Sequence, residues 1–181
     1  FRIKYTLNSN QTYYIYVQNA NTDKDYAKTG SYGLLVSQLQ DDHGNSTASA
    51  TLVQLDSEFS AVSEAENEID YFKFTPDTAG MYAFESTGTC DTYAYLYDSN
   101  NSQIEYSNNE GIGNNYYMVS ALEAKKTYYL KSYSNTLDTA YSIKVSKMVD
   151  DHGNSTDTAT FIQIGDNVPG EINYARDYDY F

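Results

Sequence analysis

Apolar and polar positions alternate with a period of two through six short stretches of the chain. They are YFKFT (Tyr71–Thr75), MYAFES (Met81–Ser86), TYAYLYD (Thr92–Asp98), YYMVSAL (Tyr116–Leu122), TYYLKSY (Thr127–Tyr133) and AYSIKVS (Ala140–Ser146). That period sends successive side chains to opposite faces, and the enrichment in Tyr, Phe, Val and Thr favours strands. TLVQL (Thr51–Leu55) and SQIEYS (Ser102–Ser107) read as two further strands. Turn residues separate them: PDTAG at Pro76–Gly80, DSNNS at Asp98–Ser102 and NNEGIGNN at Asn108–Asn115. Roughly eight short antiparallel strands without a long helix predict an all-β fold, an antiparallel jelly-roll β-sandwich.

The same polar heptapeptide, DDHGNST, opens two segments, at Asp41 and at Asp150. From these points DDHGNSTASATLVQLDSEFSAVSEAENEIDYF and DDHGNSTDTATFIQIGDNVPGEINYARDYDYF run in register, without a gap, to Phe72 and Phe181. The start of the chain has its own echo: LNSNQTYYIYV from Leu7 matches LEAKKTYYLKS from Leu122, and SYGLLVSQLQD matches AYSIKVSKMVD. Internal repeats set domain boundaries. Residues 1–40 read as the C-terminal part of one module, 41–149 as a complete module, and 150–181 as the N-terminal part of a third, so the sandwiches are expected in tandem. The chain begins at Phe1 without Met and stops inside the strand-like DYDYF, which reads as a piece of a longer protein.

Composition narrows the function. With 11 basic and 25 acidic residues the formal charge is −14, which repels phosphate backbones and anionic membrane surfaces and excludes nucleic-acid partners. Disordered acidic chains are poor in aromatics, whereas this one has 21 Tyr and 7 Phe, enough to build a core. No apolar run approaches the ~18 residues of a membrane span, so no membrane insertion is expected. The single cysteine, Cys90, rules out an internal disulfide and precedes a strand, as a small buried filler does. There is no Gly-x-Ser-x-Gly elbow and no His-Glu-x-x-His, no carboxylate pair stands out as a glycosidase dyad, and GIGNN lacks the strand–helix context of a phosphate loop. The chain is expected not to be an enzyme. His43 and His152, at the same repeat position, lack the further His or Cys that zinc needs and read as solvated linker residues.

Taken together, the opening DDHGNSTASAT, then IDYFKFTPDTAGMYAFES, DTYAYLYDSNN, the loop NNEGIGNN and the closing LEAKKTYYL and AYSIKV resemble the bacterial pre-peptidase C-terminal domain family, related to clostridial collagenase collagen-binding domains. The resemblance spans 41–149, and both flanking fragments match their halves. It implies a non-catalytic jelly-roll sandwich, secreted or on the cell surface. In the collagen-binding members a calcium site joins the acidic opening segment to the acids just before DYF, and exposed aromatics on one sheet face take the ligand. Those members carry a Trp near the position of Ala94; this chain has no Trp, which counts against collagen.

The residues support calcium on their own terms. Calcium takes six to eight hard oxygens from carboxylates, amides and backbone carbonyls. The opening segment offers Asp41, Asp42, Asn45 and the Gly44 carbonyl, and the acids before DYF are Glu68 and Asp70. The third module repeats the set as Asp150, Asp151, Asn154, Asp177 and Asp179, keeping the acid-x-Asp spacing while the intervening residues drift. The competing reading is an Asx-type turn between domains, with the same side chains capping backbone N–H groups.

The tyrosines supply the other lead. In TYYLKSY, Tyr129, Lys131 and Tyr133 share the face opposite Tyr128 and Leu130, and in TYYIYV the matching residues are Tyr14 and Tyr16. Exposed tyrosines stack on sugar rings or on a Pro-rich polymer; cross-strand pairing on a wet face is the structural alternative. The expected protein is a secreted or cell-surface array of calcium-stiffened spacer or adhesion modules that contact neighbouring modules of the same chain. Its external partner would be a polysaccharide or an extracellular matrix polymer. The alternatives are an accessory substrate-binding tail of a secreted peptidase and a subunit of an extracellular filament.

Overall fold

The computed structural model of the chain describes residues 2–5, 7–18, 30–65, 68–174 and 177–181. Among these, nine strands form, all within 51–147: β1 Thr51–Leu52, β2 Glu58–Val62, β3 Asp70–Phe74, β4 Gly80–Thr87, β5 Thr92–Tyr97, β6 Gln103–Asn108, β7 Tyr117–Leu122, β8 Tyr128–Ser134 and β9 Ala140–Lys147. One sheet has the order β1-β3-β8-β5-β6 and the other β2-β9-β4-β7. Every pairing is antiparallel except β1 with β3. With β1 set aside, the first, eighth, third and sixth of the remaining strands make one sheet and the second, seventh, fourth and fifth the other. That is the order of a jelly roll.

The core lies between the sheets. Phe72, Phe74, Ala94, Leu96 and Leu130 face Tyr82, Phe84, Met118, Ile143 and Val145, all buried. Burial alternates along β3, β5 and β8, with a buried residue followed by a half-buried one, as a sheet with one face on the core requires. Where NNEGIGNN was expected to be only a loop, Asn115 is buried and fastens it. Its Nδ2 donates to the Gly88 and Ile112 carbonyls, and its Oδ1 accepts from the Ser86 and Thr92 hydroxyls. DSNNS closes β5 to β6 through Asp98 Oδ1, which accepts the Asn100 and Ser102 N–H groups at 2.8 Å.

Three segments differ from expectation. TLVQL is a strand only over Thr51–Leu52, because the Ser57 N–H to Gln54 carbonyl turn, with Asp56 at φ 57°, ends it. EFSAV, unassigned from its pattern, is edge strand β2. TYYIYV forms no strand: residues 7–18 and 30–40 are irregular and mostly exposed, since no described segment offers them the backbone partners a strand needs. Residues 19–29 lie outside the described residues.

Candidate metal centre

The opening heptapeptide is sewn across both sheets. Asp42 Oδ2 accepts the Val62 N–H at 2.9 Å, from the end of β2, while the Gly44 carbonyl accepts the Tyr71 N–H at 3.0 Å, from β3 of the other sheet. Asn45 Oδ1 accepts the Ile69 N–H, and its Nδ2 donates to Asp41. His43 is no solvated linker residue. Its ring packs on Phe72 at 4.6 Å, with Nε2 2.8 Å from the Ser60 carbonyl and Nδ1 2.9 Å from the Thr51 hydroxyl. A carbonyl only accepts, so Nε2 carries the proton and Nδ1 accepts from Thr51. Gly44 is required by close approach: a Cβ there would overlap the Ser49 side chain and carbonyl.

This sewing gathers the acids. Carboxylate oxygens of Asp41, Asp42, Glu68 and Asp70 all lie within 4.8 Å of one another. Glu68 and Asp70 are 8% and 2% exposed. Glu68 Oε2 accepts the Glu64 N–H at 3.0 Å, and Asp70 Oδ2 accepts the Tyr141 hydroxyl at 3.2 Å. Glu68 Oε1, Asp70 Oδ1 and Glu64 Oε2, also buried, have no partner. Among the described residues no Lys or Arg pairs with any of these carboxylates; the one basic side chain beside them is His43, its Nε2 3.8 Å from Asp42 Oδ2. Burial, with the Asp70 charge alongside, pushes the Glu68 carboxyl up to about 8. Burial and the Asp42 charge push Asp70 to about 7, and burial with Asp42 and Glu68 does the same to Glu64. Asp42 is raised by burial, against the pull of His43.

The second heptapeptide repeats the geometry bond for bond. Asp151 accepts the Glu171 N–H, Asn154 Oδ1 accepts the Tyr178 N–H, the Gly153 carbonyl accepts the Tyr180 N–H, and His152 packs on Phe181 with its nitrogens on Thr160 and the Pro169 carbonyl. Here three carboxylates converge, Asp150, Asp177 and Asp179, with Asp177 Oδ1 and Asp179 Oδ1 unpartnered. Asp179 is raised by burial and by its acidic neighbours. Three of the substitutions between copies fall at the site: Asp177 stands for Glu68, Asn173 for Glu64, and Tyr174 for Ala65. The Tyr174 hydroxyl meets Asn154 at 2.7 Å and Asp150 at 3.3 Å.

The donor set fits a hard cation. It is all oxygen, several of its oxygens are buried with no other partner, and both histidine nitrogens are spent on protein groups, which leaves zinc no nitrogen or sulfur ligand. The Asn45 and Asn154 amides sit at the rim, committed to backbone and to Asp41 and Asp150. Glu64 and Tyr141 were not among the expected residues. Glu64 precedes the acid-x-Asp signature, and Tyr141 arrives from β9 with no local signal.

The outward face of the five-stranded sheet holds the expected Tyr129, Lys131 and Tyr133, and more. The register sets Tyr71, Lys131, Tyr95 and Tyr106 in one row across β3, β8, β5 and β6, with Lys73–Tyr129–Tyr97 and Tyr133–Tyr93 as flanking rows. Tyr93 stacks on Tyr133 at 4.5 Å and 6°, and Tyr95 packs on Tyr106 at 4.7 Å. Tyr71, Tyr93, Tyr95 and Tyr97 were legible from the same alternation. Tyr14 and Tyr16, 92% and 82% exposed, lie in the irregular segment 7–18, outside this sheet.

No protein-family model matches the sequence, and no curated protein matches it. Among solved structures the chain is similar to the pre-peptidase C-terminal domain of a collagenase from Bacillus anthracis. The identity is 13% and the TM-score 0.45, over 60% of this chain and 99% of that one. It is also similar to PliG, a periplasmic inhibitor of g-type lysozyme from Aeromonas hydrophila, at 9% identity and TM-score 0.36, over 53% of this chain and 95% of that one. The first is a domain of the kind that the sequence motifs resemble, and the likeness is structural, at low identity.

Proposed function

We propose that the chain is a non-catalytic β-sandwich segment of a secreted or cell-surface protein, in which calcium clamps each opening heptapeptide to the sandwich that follows it. The observation that carries this is the group of buried, unpartnered carboxylate oxygens on Glu68 and Asp70, facing Asp41 and Asp42 with no Lys or Arg paired to them among the described residues. Asp42 is bound to the four-stranded sheet and Asp70 begins a strand of the other. An ion held by both would tie the sheets together at the module entrance and stiffen a tandem array. A thermal melt of the 181-residue chain in EGTA and then in rising calcium tests it. A saturable rise in Tm that Asp42→Asn and Asp70→Asn abolish supports the clamp; no rise reduces the heptapeptide to a polar fastening.

A second activity rests on a separate observation. The tyrosine-rich sheet face, half-exposed and held by its own ring packing, supports adhesion to an extracellular polymer. Retardation of the chain in gels that contain polysaccharide or matrix protein tests it, and migration unchanged by every polymer would refute it.

A further inference from the structure

The two sheets treat their lysines differently. On the four-stranded sheet Lys144 of β9 has Glu58 of β2 and Glu85 of β4 as its cross-strand neighbours. On the five-stranded sheet Lys131 lies between Tyr71 and Tyr95, and Lys73 lies opposite Tyr129. The outward positions of β3, β5 and β8 hold only Tyr and Lys, in a chain with 25 acidic residues. Neither lysine pairs with a carboxylate among the described residues, and Lys131 Nζ lies 5.1 Å from the Tyr133 ring centre.

We infer that this face binds an acidic polysaccharide, with tyrosine rings taking the sugar faces and Lys131 and Lys73 taking the carboxylates or sulfates. The inference rests on the adhesive reading above and names its ligand class. Neighbouring strands are about 4.8 Å apart and alternate residues on one strand about 6.6 Å, so the rings tile a continuous plate rather than isolated spots. Stacking of Tyr93 on Tyr133 and packing of Tyr95 on Tyr106 order the plate before a ligand arrives, which lowers the entropic cost of binding. Among the described residues none hydrogen-bonds to the hydroxyls of Tyr71, Tyr95 or Tyr129, which leaves them to sugar hydroxyls. The overall charge of −14 opposes a polyanion at a distance, and Asp91 acts on Tyr93, but that field decays over about 8 Å in 0.15 M salt, so contact chemistry at the Tyr and Lys positions of β3, β5 and β8 decides.

The test uses the 181-residue chain, in EGTA and 0.15 M salt, titrated with oligogalacturonate and with its methyl ester, which has the same backbone without the charges. The acid form should bind about tenfold more tightly, the size of about one charge-assisted hydrogen bond. Lys131→Met should erase that preference while leaving weak binding to both forms, and Lys131→Arg should keep it. Tyr95→Ala should weaken both, with an unchanged circular dichroism spectrum showing that the fold survives. Equal binding of acid and ester would overturn this inference and leave the adhesive reading standing. Binding of neither would overturn this inference, and the adhesive reading falls with it only where every polymer also leaves gel migration unchanged. Poly-glutamate binding as tightly as the oligogalacturonate would make the ligand an acidic peptide and overturn the inference.

Discussion

Asp70→Asn is expected to stabilise the cation-free protein, although it alters a buried side chain that opens a core strand. Asp70 is 2% exposed, faces three other acids, and has its carboxyl raised from the ordinary 3.8 to about 7. Each tenfold change in proton affinity is worth about 1.4 kcal/mol, so ionised Asp70 weakens the cation-free fold by on the order of 4 kcal/mol at pH 8. Asparagine has nearly the same shape, and its Oδ1 accepts the Tyr141 hydroxyl as Asp70 Oδ2 does. Glu68 and Asp42 shift their protonation when Asp70 is neutral, so we expect about half of that relief, ~2 kcal/mol. For a domain near this size that is roughly 8–16 °C in Tm. Differential scanning calorimetry at pH 8 in EGTA measures it; in saturating calcium the order should reverse, with the wild-type chain the more stable. A mutant that melts lower than wild type in EGTA would refute the reasoning, because it would show that Asp70 stabilises the fold without a cation.

In EGTA, wild-type stability should fall as pH rises from about 4.5 to about 8. The unfolded carboxyls ionise at their ordinary values, while Glu68 and Asp70 hold their protons to about 8 and about 7, so the unfolded state loses protons first; a Tm flat across that range contradicts this. Asn115→Ala removes the donor to the Gly88 and Ile112 carbonyls and an acceptor of the Ser86 and Thr92 hydroxyls, which keep their bond to each other, and should cost about 1–2 kcal/mol in urea unfolding, with calcium affinity unchanged. Gly44→Ala should cost on the order of 1–3 kcal/mol and weaken calcium binding, because the added methyl pushes the heptapeptide off Ser49; isothermal titration and a melt read both effects.

Much of this architecture was legible in the sequence, and the exceptions have physical reasons. Alternation located β3 to β5 and β7 to β9 within about a residue or two, because one face of each packs on the core. Edge strand β2 was not, since Glu58-Phe-Ser-Ala-Val carries little of the aromatic signature and takes its place only by pairing with β9. The repeat revealed the heptapeptide, and the structure explains why its polar residues recur. Asp42, His43, Gly44 and Asn45 each bind the backbone or a side chain of β1, β2 or β3, or of the residue just before β3, and their counterparts from Asp151 to Asn154 bind the matching positions of 160–180, which form no strand. His43 looked solvated because its partners Thr51 and Ser60 are ordinary residues with no motif. Tyr141 was beyond reach, since its contact with Asp70 spans 71 positions and exists only once β9 crosses the other sheet's end.

The central claim, that the converging carboxylates are a calcium clamp, is tested most directly by isothermal titration of the 181-residue chain with calcium at pH 7, in two buffers of different ionisation enthalpy. The account predicts saturable binding at two unequal sites, tighter at Asp41, Asp42, Glu68 and Asp70 than at Asp150, Asp177 and Asp179, with proton release as Glu68 and Asp70 ionise. Saturable binding without proton release, or no binding at millimolar calcium, would contradict it.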